Sequence, residues 1–362
     1  MADRYADDDA LLRGVEALSD GSLWPAALEV DRRGAIPASH FAALNELGLF
    51  AMTVPAELGG LGLASSTIRS VLRILGAGCG ATAFAFAQHG GALAALARTA
   101  NDELRRAWLP RLIDGELAGT AFAHVRRVGP PALRASRVDG GWRTDGEAPW
   151  ATSWGTAAVF SVAAVSDDGE LVWVLVPGRS SASLVPSAPM ELVAFGATRT
   201  VSLDFRAHEV ADSDVLEVTQ IERWREADRR GAVRPSPLCL GIGDRALREL
   251  ALVAPERAAS LTAWWEAVTA RADAASSAID AGSDEIAPVA AVRTETVLAT
   301  QAIANALMAA VGGRAAGRDH PAQLLARQAL FYVVQAQNDD GRAATLDAIA
   351  RLAQAGTDAP KN

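Results

Sequence analysis

The sequence has almost no lysine. Lys361 is its single lysine, so arginine supplies every other fixed positive charge. This excludes a Schiff base or another catalytic lysine in the folded body. Cysteine is also scarce, because Cys79 and Cys239 are too few for a disulfide framework or a thiolate metal site. The histidines lack paired ligand spacing, and no metal is predicted.

Long apolar runs and an excess of positive charge are missing as well. The most apolar long segment, residues 75–96, is interrupted by glycines and by Gln88 and His89, which indicates a buried helix and not a membrane span. The N-terminus has no basic region followed by an apolar stretch, so no secretory signal is predicted. A net charge of −9 argues against a nucleic-acid surface. We therefore expect a cytoplasmic protein with neither a membrane nor a nucleic acid as its partner.

The composition is that of a globular protein, and the chain divides into three regions. Half of the 362 residues are apolar and 21% are charged, which is enough for two or three hydrophobic cores. Apolar residues recur at helical spacing in the first and third regions and form short runs in the second. The predicted domains are an N-terminal helical domain at residues 1–115, a β-barrel or sandwich domain at 116–217 and a C-terminal helical bundle at 218–362.

Turn signals define the middle region. Residues 157–165 and 171–176 are short apolar runs, and the Asp-Gly-Gly of 139–141 and the Asp-Asp-Gly of 167–169 predict hairpin turns. This pattern is typical of a mostly antiparallel β domain. Farther along, Ala-rich helical segments with short connections predict a four-helix bundle in which Pro255 separates the first two helices.

Four stretches resemble the acyl-CoA dehydrogenase family. Residues 31–63, DRRGAIPASHFAALNELGLFAMTVPAELGGLGL, are similar to the family's N-terminal helices and Gly-Gly loop, and residues 108–123, WLPRLIDGELAGTAFA, to the start of its β domain. Residues 140–155, GGWRTDGEAPWATSWG, and 196–205, GATRTVSLDF, resemble two further β-domain segments. The resemblance extends over residues 12–352. It implies a mostly helical α+β fold with an N-terminal helical domain, a middle antiparallel β domain and a C-terminal four-helix bundle.

The resemblance also implies a chemistry. Family members bind FAD and oxidise an acyl thioester, with a carboxylate removing the α-proton while the β-hydrogen leaves as hydride to the flavin. The chain is accordingly expected to be a flavin-dependent oxidoreductase that binds FAD and an acyl-CoA or similar acyl thioester. Because this fold resembles dimers and tetramers, a homodimer or homotetramer is expected.

Candidate flavin contacts come from two segments. Trp150 and Thr152 occupy the positions at which the family's Trp and Thr contact the flavin, although a core Trp and a Thr of high strand propensity are an alternative interpretation. Phe122 and His124 lie in the family's other flavin segment, where His124 replaces a Thr. A histidine can donate to a flavin edge and change charge near neutral pH. The alternative is a loop histidine that only bonds to backbone.

The candidate catalytic base is Asp319. Residues 312–321 read GGRAAGRDHP, and Asp319 falls on the site of the base Glu in many relatives. Aspartate is one methylene shorter, so its reach to the substrate requires a shifted backbone or a shorter substrate. The alternative is that Asp319 is an ordinary N-cap before Pro321.

Several family motifs are missing from this chain. The Arg-x-x-Phe-Gly that reaches a neighbouring subunit's FAD pyrophosphate, the Thr-Glu-Pro with its Gly-Ser-Asp, and the Glu-Gly-Thr near the C-terminus are absent. Since an arginine fork is the natural clamp for a pyrophosphate, both full and partial retention of FAD by this chain alone stay open. Two alternatives follow. One is a non-catalytic or half-site subunit that forms a heteromer with a homologous acyl-CoA dehydrogenase subunit, and the other is a flavin-dependent monooxygenase of the same fold, which needs no base.

Overall fold

Helices form the first part of the chain and strands follow. The computed structural model describes residues 8–127 and 129–357, in which the chain forms two compact units, Met1–Arg225 and Glu226–Asn362. The helices of the first part are α1 (Asp8–Leu18), α2 (Trp24–Arg33), α3 (Ala38–Glu46), α4 (Ser65–Gly78), α5 (Gly80–Arg98) and α6 (Asp102–Ile113).

Apolar spacing and capping explain these helices. Leu11 and Val15, one helical turn apart on α1, are both fully buried. At the start of α6, the Asn101 side chain accepts the backbone N–H of Leu104 at 3.1 Å, which satisfies one of the free donors of the first turn.

A mixed sheet forms the middle of the chain. Its path runs β6-β7-β3-β2-β4-β5-β8, and β1 joins it beside β4. The parallel pairs are β1 with β4 and β2 with β4, while the remaining pairs are antiparallel. The strands are β1 (Ala118–Ala121), β2 (Leu133–Val138), β3 (Gly141–Ala151), β4 (Val159–Ser166), β5 (Glu170–Pro177), β6 (Leu184–Pro186), β7 (Val201–Ala211) and β8 (Val215–Gln220).

Both predicted hairpins are confirmed. Val138 pairs with Gly141 across the first turn and Val165 pairs with Leu171 across the second. Gly140 and Gly169 occupy these turns with φ of +74° and +78°, a conformation that favours glycine.

Strand β4 is buried on both faces, which explains its continuous apolar run. Phe160 and Val162 point into the interior of the β region, where they cluster with Leu203. Val159 points to the other face and clusters with Leu93 of α5. The sheet thus carries one core of its own and shares a second with the helices of the same unit.

His89 of α5 connects the helices to the sheet. Its Nδ1 accepts the backbone N–H of Ala118 at 3.1 Å, and its Nε2 lies 3.1 Å from the carbonyl oxygen of Phe50. A carbonyl can only accept and an amide N–H can only donate, so the buried ring must be the neutral tautomer with hydrogen on Nε2. Burial lowers the pKa of His89 to about 4.

After β8 the described chain is helical again. The helices are α7 (Ile221–Ala232), α8 (Pro237–Val253), α9 (Pro255–Asp280), α10 (Ile286–Val311), α11 (Pro321–Phe331) and α12 (Asp339–Thr357). Helix α10 contacts α8, α9, α11 and α12. By length and composition alone Ile286–Ala316 could cross a membrane, a test that the central helix of a bundle also passes. The succession of helices, sheet and helical bundle confirms the predicted fold class.

Close packing of α8 on α9 depends on a glycine. Trp265 lies against Gly243, and its Nε1 donates to the Asp244 carboxylate at 2.8 Å. A Cβ at position 243 would lie 2.3 Å from the indole ring, where no side chain fits.

We expect Gly243→Ala to lower the free energy of unfolding by about 1–3 kcal/mol, because the new methyl group forces Trp265 out of its site. Gly231→Ala is the matched control, since a Cβ at 231 meets nothing within 4 Å on an exposed stretch of α7. Its stability should be unchanged or slightly higher. Thermal and denaturant unfolding measure both variants, and equal stability of the two would contradict the packing argument.

The His89 contact makes stability fall in acid. The pKa of His89 is lowered from 6.5 to about 4 in the fold, so the unfolded chain binds a proton that the folded chain rejects. The free energy of unfolding therefore has its full value above pH 6.5. It decreases by about 3 kcal/mol at most as the pH falls towards 4. His89→Gln should be less stable at pH 7 and should show a smaller decline in unfolding free energy between those pH values. An identical decline in wild type and variant would exclude the proposed contribution.

Candidate functional site

The end of β3 carries a bulge that exposes Trp150. Ala148 pairs with Leu203 and Ala151 with Val201, so β3 has one residue more than β7 over this interval. Trp150 has φ of +67°, which is a genuine outlier for a bulky residue, and 42% of it is exposed. An indole with this exposure is not a core residue of the described chain, contrary to the alternative interpretation of the sequence.

Thr152 points the other way and is buried. Its Oγ1 lies 3.2 Å from the Oγ1 of Thr200. Thr200 Oγ1 in turn lies 3.0 Å from Thr198 Oγ1, which donates to the carbonyl oxygen of Phe195 at 2.8 Å. The bulge thus places the two predicted flavin contacts differently, with the indole at the surface and the hydroxyl inside.

Backbone strain is concentrated around this point. Two short segments, 150–153 and 195–199, contain four non-glycine residues with positive φ, and the Ser153 amide joins the segments by donating to the Thr198 carbonyl at 2.8 Å. Each such residue costs on the order of 1–3 kcal/mol, and strain of this kind clusters at ligand sites. The four residues are Trp150, Ser153, Phe195 and Arg199.

Neighbouring elements hold both segments in place. Phe195 is buried and stacks on Phe84 of α5, with ring centroids 5.3 Å apart. On β1, Gly119 lies so close that a Cβ there would be 2.4 Å from the Phe160 ring and 2.9 Å from the Thr152 carbonyl oxygen. A side chain at position 119 would therefore push the end of the bulge out of place.

His124 lies where β4 changes its partner. Residues 159–162 of β4 pair with β1 and residues 165–166 pair with β2. Between them the carbonyl of Ala163 accepts a hydrogen bond from His124 Nε2 at 2.8 Å. His124 therefore supplies the hydrogen-bond donor that neither β1 nor β2 offers at this point of β4. This is the hydrogen bond to backbone that the alternative interpretation of the sequence predicts.

The second nitrogen of His124 has no partner. With its hydrogen on Nε2, the neutral ring presents Nδ1 as an acceptor, and this buried atom forms no hydrogen bond. Burial lowers the pKa of His124, aided by Arg127 and opposed by the Ala163 carbonyl and by Glu147. The ring thus offers an acceptor at neutral pH, where the sequence suggested a donor.

Phe122 belongs to an aromatic cluster on the sheet. Its ring is half-buried, with centroids 5.5 Å from Trp173 and 6.1 Å from Trp224. The Arg126 guanidinium lies 5.1 Å from the centre of the Phe122 ring. The 123–126 turn contacts β3, so Phe122 and His124 lie in the unit that carries Trp150 and Thr152.

Asp319 belongs to the C-terminal unit, in the turn before α11. It is not the N-cap, because His320 takes that position and its Nδ1 accepts the N–H of Ala322 at 3.1 Å. The exposed Asp319 carboxylate lies over Gly317, where a Cβ would be 2.6 Å from Oδ1. No hydrogen bond or ion pair between described residues holds this carboxylate. Its role as a base stays a prediction.

Three side chains of the N-terminal unit have an unused surface or an unused polar atom. Trp150 offers an exposed ring face, and His124 Nδ1 is a buried acceptor without a partner. Arg199 is exposed beside Gly155 and forms no ion pair with another described residue. Of these, the exposed indole face suits a planar aromatic ligand such as an isoalloxazine ring. Within residues 8–127 and 129–357, no three His, Cys, Asp or Glu side chains are placed to share a metal ion.

Known proteins resemble the chain in part of its sequence and in its fold. Residues 6–116 match the family described as acyl-CoA dehydrogenase, N-terminal domain. The human mitochondrial short-chain specific acyl-CoA dehydrogenase is 28% identical over 162 residues, which cover 43% of this chain and 39% of that protein. The match therefore spans well under half the length of this curated relative.

Solved structures show the same fold over nearly the whole chain. The glutaryl-CoA dehydrogenase of Mycobacterium smegmatis in complex with FADH2 superposes with a TM-score of 0.81 at 18% identity, covering 95% of this chain and 94% of that one. The dibenzothiophene monooxygenase TdsC of Paenibacillus sp. A11-2 superposes with a TM-score of 0.75 at 18% identity, covering 90% and 92%. Identities this low show the fold alone. Residues 6–116 are thus similar in sequence to the acyl-CoA dehydrogenase N-terminal domain, and the chain shares its fold with the superposed structures.

Proposed function

We propose that the chain is an FAD-dependent oxidoreductase that forms a Cα–Cβ double bond in an acyl thioester. The observation that carries the proposal is the strained bulge that exposes Trp150 in a segment resembling the family's flavin contact. The backbone strain at Trp150 is not offset by burial of the indole, because the indole is exposed. Contact between the indole face and a ligand would offset this strain.

The chain's own residues have separate roles. The exposed Trp150 indole would pack on the flavin ring, while the buried Thr152 and His124 would hold the bulge and strand β4 behind it. Phe122 supports the His124 turn through its contacts with Trp173 and Trp224. When bound, FAD accepts the hydride that leaves the substrate β-carbon.

Asp319 takes up the α-proton in this proposal. It is exposed and unpaired among the described residues, so it can change its protonation without breaking a structural ion pair. Its shorter side chain favours a small acyl group, because a short substrate can move towards the carboxylate.

The proposal includes a homodimer or homotetramer located in the cytoplasm. The C-terminal unit exposes several large apolar side chains, which association with a second copy would remove from water. These residues are Leu252, Val253, Trp264, Leu330, Val334, Leu346 and Ile349.

A flavin-dependent monooxygenase is the second candidate. Its support is the fold shared with dibenzothiophene monooxygenase, together with an Asp at the position of the family's Glu. Such an enzyme needs no base at position 319. Oxygen consumption by the protein with externally reduced flavin, and without bleaching by any acyl-CoA, would favour this candidate.

Purified protein should be yellow, and an acyl-CoA should bleach its flavin under anaerobic conditions. A panel of short-, medium- and long-chain acyl-CoAs, followed by visible spectroscopy, measures this. Flavin that no acyl-CoA reduces would refute desaturation. Colourless protein that co-purifies with a longer homologue would instead favour the half-site subunit of a heteromer.

Trp150→Leu should weaken FAD binding about tenfold, because it removes the aromatic surface on which the ring packs. Trp264→Leu is a matched control, since Trp264 is 40% exposed and Trp150 is 42% exposed. Titration of the unloaded protein with FAD, followed by flavin fluorescence, compares the two. Equal losses of affinity would place the flavin away from the bulge.

Asp319→Asn should slow flavin reduction by acyl-CoA by a factor of about 100 or more while FAD content stays constant, because the amide cannot take the proton. Asp319→Glu should retain the reaction, and Asp273→Asn, at an exposed position on α9, should behave as wild type. Rapid mixing without oxygen gives the rates. An unchanged rate for Asp319→Asn would remove this residue from the mechanism.

A further inference from the structure

Asp319 lies in a tight turn that precedes α11. The backbone N–H of His320 donates to the carbonyl of Gly317 at 3.0 Å. Arg318 and Asp319 therefore occupy the two central positions of this turn. After the turn, His320 Nδ1 accepts the backbone N–H of Ala322 at 3.1 Å. The backbone on the C-terminal side of Asp319 is thus fixed to the first turn of α11.

Gln323 of α11 holds the backbone on the other side of Asp319. Its Nε2 donates to the Arg318 carbonyl at 3.3 Å, and this carbonyl belongs to the peptide group that contains the Asp319 nitrogen. Gln323 is buried, with an exposed fraction of 8%, so water competes little for this bond. The peptide groups before and after Asp319 are therefore both fixed, and only rotation of its side chain remains to move the carboxylate.

Arg327 determines which way the Gln323 amide faces. The guanidinium of Arg327 donates from Nε to Gln323 Oε1 at 2.7 Å. A guanidinium can only donate and a carbonyl can only accept, so the amide oxygen must face Arg327 and the amide NH2 group must face Arg318. Turning the amide over would break both hydrogen bonds, because it places donor against donor and acceptor against acceptor.

The Asp319 carboxylate lies over Gly317. A Cβ at position 317 would be 2.6 Å from Asp319 Oδ1 and 3.3 Å from the Arg314 carbonyl oxygen, so the glycine leaves the space that the carboxylate uses. The carboxylate is exposed, and no hydrogen bond or ion pair between described residues holds it. Its position therefore depends on the backbone of the turn and not on a direct partner.

We propose that Gln323, oriented by Arg327, is a positioning residue for the Asp319 carboxylate. This inference rests on the proposed function, in which Asp319 takes up the α-proton of the substrate. A base reacts with a C–H proton only from a narrow range of positions, and a displacement of about 1 Å can cost a factor of about 100 in rate. Loss of the bond to Arg318 would let the turn move, which slows the proton transfer without changing the carboxylate itself.

Gln323→Glu tests this inference. A carboxylate at position 323 still accepts from Arg327, so α11 keeps that contact, but it cannot donate to the Arg318 carbonyl. The probe is the acyl-CoA of the panel that bleaches wild-type flavin fastest. We expect the rate of flavin reduction, measured by rapid mixing without oxygen, to fall about tenfold while FAD content and the Kd for the acyl-CoA stay constant. Gln323→Met loses both contacts, should slow the reaction at least as much, and carries the test if Gln323→Glu folds poorly.

The Asp319→Asn background distinguishes positioning from a purely structural role. If Gln323 acts through Asp319, adding Gln323→Glu to Asp319→Asn should slow flavin reduction no further, because no base is left to position. A structural role would lower the rate by the same factor in both backgrounds. Asn45→Asp is the matched control, since Asn45 Nδ2 also donates to a backbone carbonyl, that of Asp114, at 3.0 Å. This control should lower the Tm and keep the wild-type rate.

The outcomes separate this inference from the proposed function. A loss of rate in Gln323→Glu that disappears in the Asp319→Asn background is the result we expect. A wild-type rate in Gln323→Glu and Gln323→Met, or an equal loss in both backgrounds, would overturn the role of Gln323 and leave the proposed function standing. A wild-type rate in Asp319→Asn would remove the base from the proposed function, and this inference would fall with it. Wild-type flavin that no acyl-CoA reduces would overturn both.

Discussion

A neutral imidazole holds the helices of the N-terminal unit to the sheet. His89 accepts the N–H of Ala118 at the first residue of β1 and donates to the carbonyl of Phe50. Both bonds require a single hydrogen on the ring, which burial ensures by lowering the pKa of His89 to about 4. Because β1 pairs with β4 from its first residue, His89 and the packing of Leu93 on Val159 together position α5 on the sheet.

The candidate site depends on that placement in two ways. Strand β1 ends before His124, whose Nε2 satisfies Ala163 where β4 passes from β1 to β2. Helix α5 also carries Phe84, which stacks on Phe195 and so supports the segment that bears Thr198 and Thr200. A shift of α5 on the sheet would therefore disturb the His124 turn and the contacts of Thr200 with Thr152 and Thr198 together.

Sequence patterns predicted the fold and the hairpins because these depend on local spacing and on glycine conformation. They located the segment of Trp150 and Thr152, but residues two apart in a regular strand share a face, and only the bulge separates them. The backbone bond of His124 was one of the two interpretations of the sequence, but its partner, and the role of Thr200, could not be predicted, since each depends on a residue at least 39 positions away. For Asp319, spacing suggested an N-cap or a base, and the structure gives the cap to His320.

Strain and ligand binding are linked at this site. The four residues with positive φ each cost on the order of 1–3 kcal/mol. Their summed cost is a large share of the roughly 5–15 kcal/mol that typically stabilises a domain. Contacts such as Phe84 on Phe195 and the Ser153 bond to Thr198 must offset that cost when no ligand is bound. A ligand present at about 100 times its Kd adds roughly 2.7 kcal/mol to the same region. That is less than the summed cost of the four strained residues, so the protein's own contacts must carry the rest of the strain even when a ligand is bound.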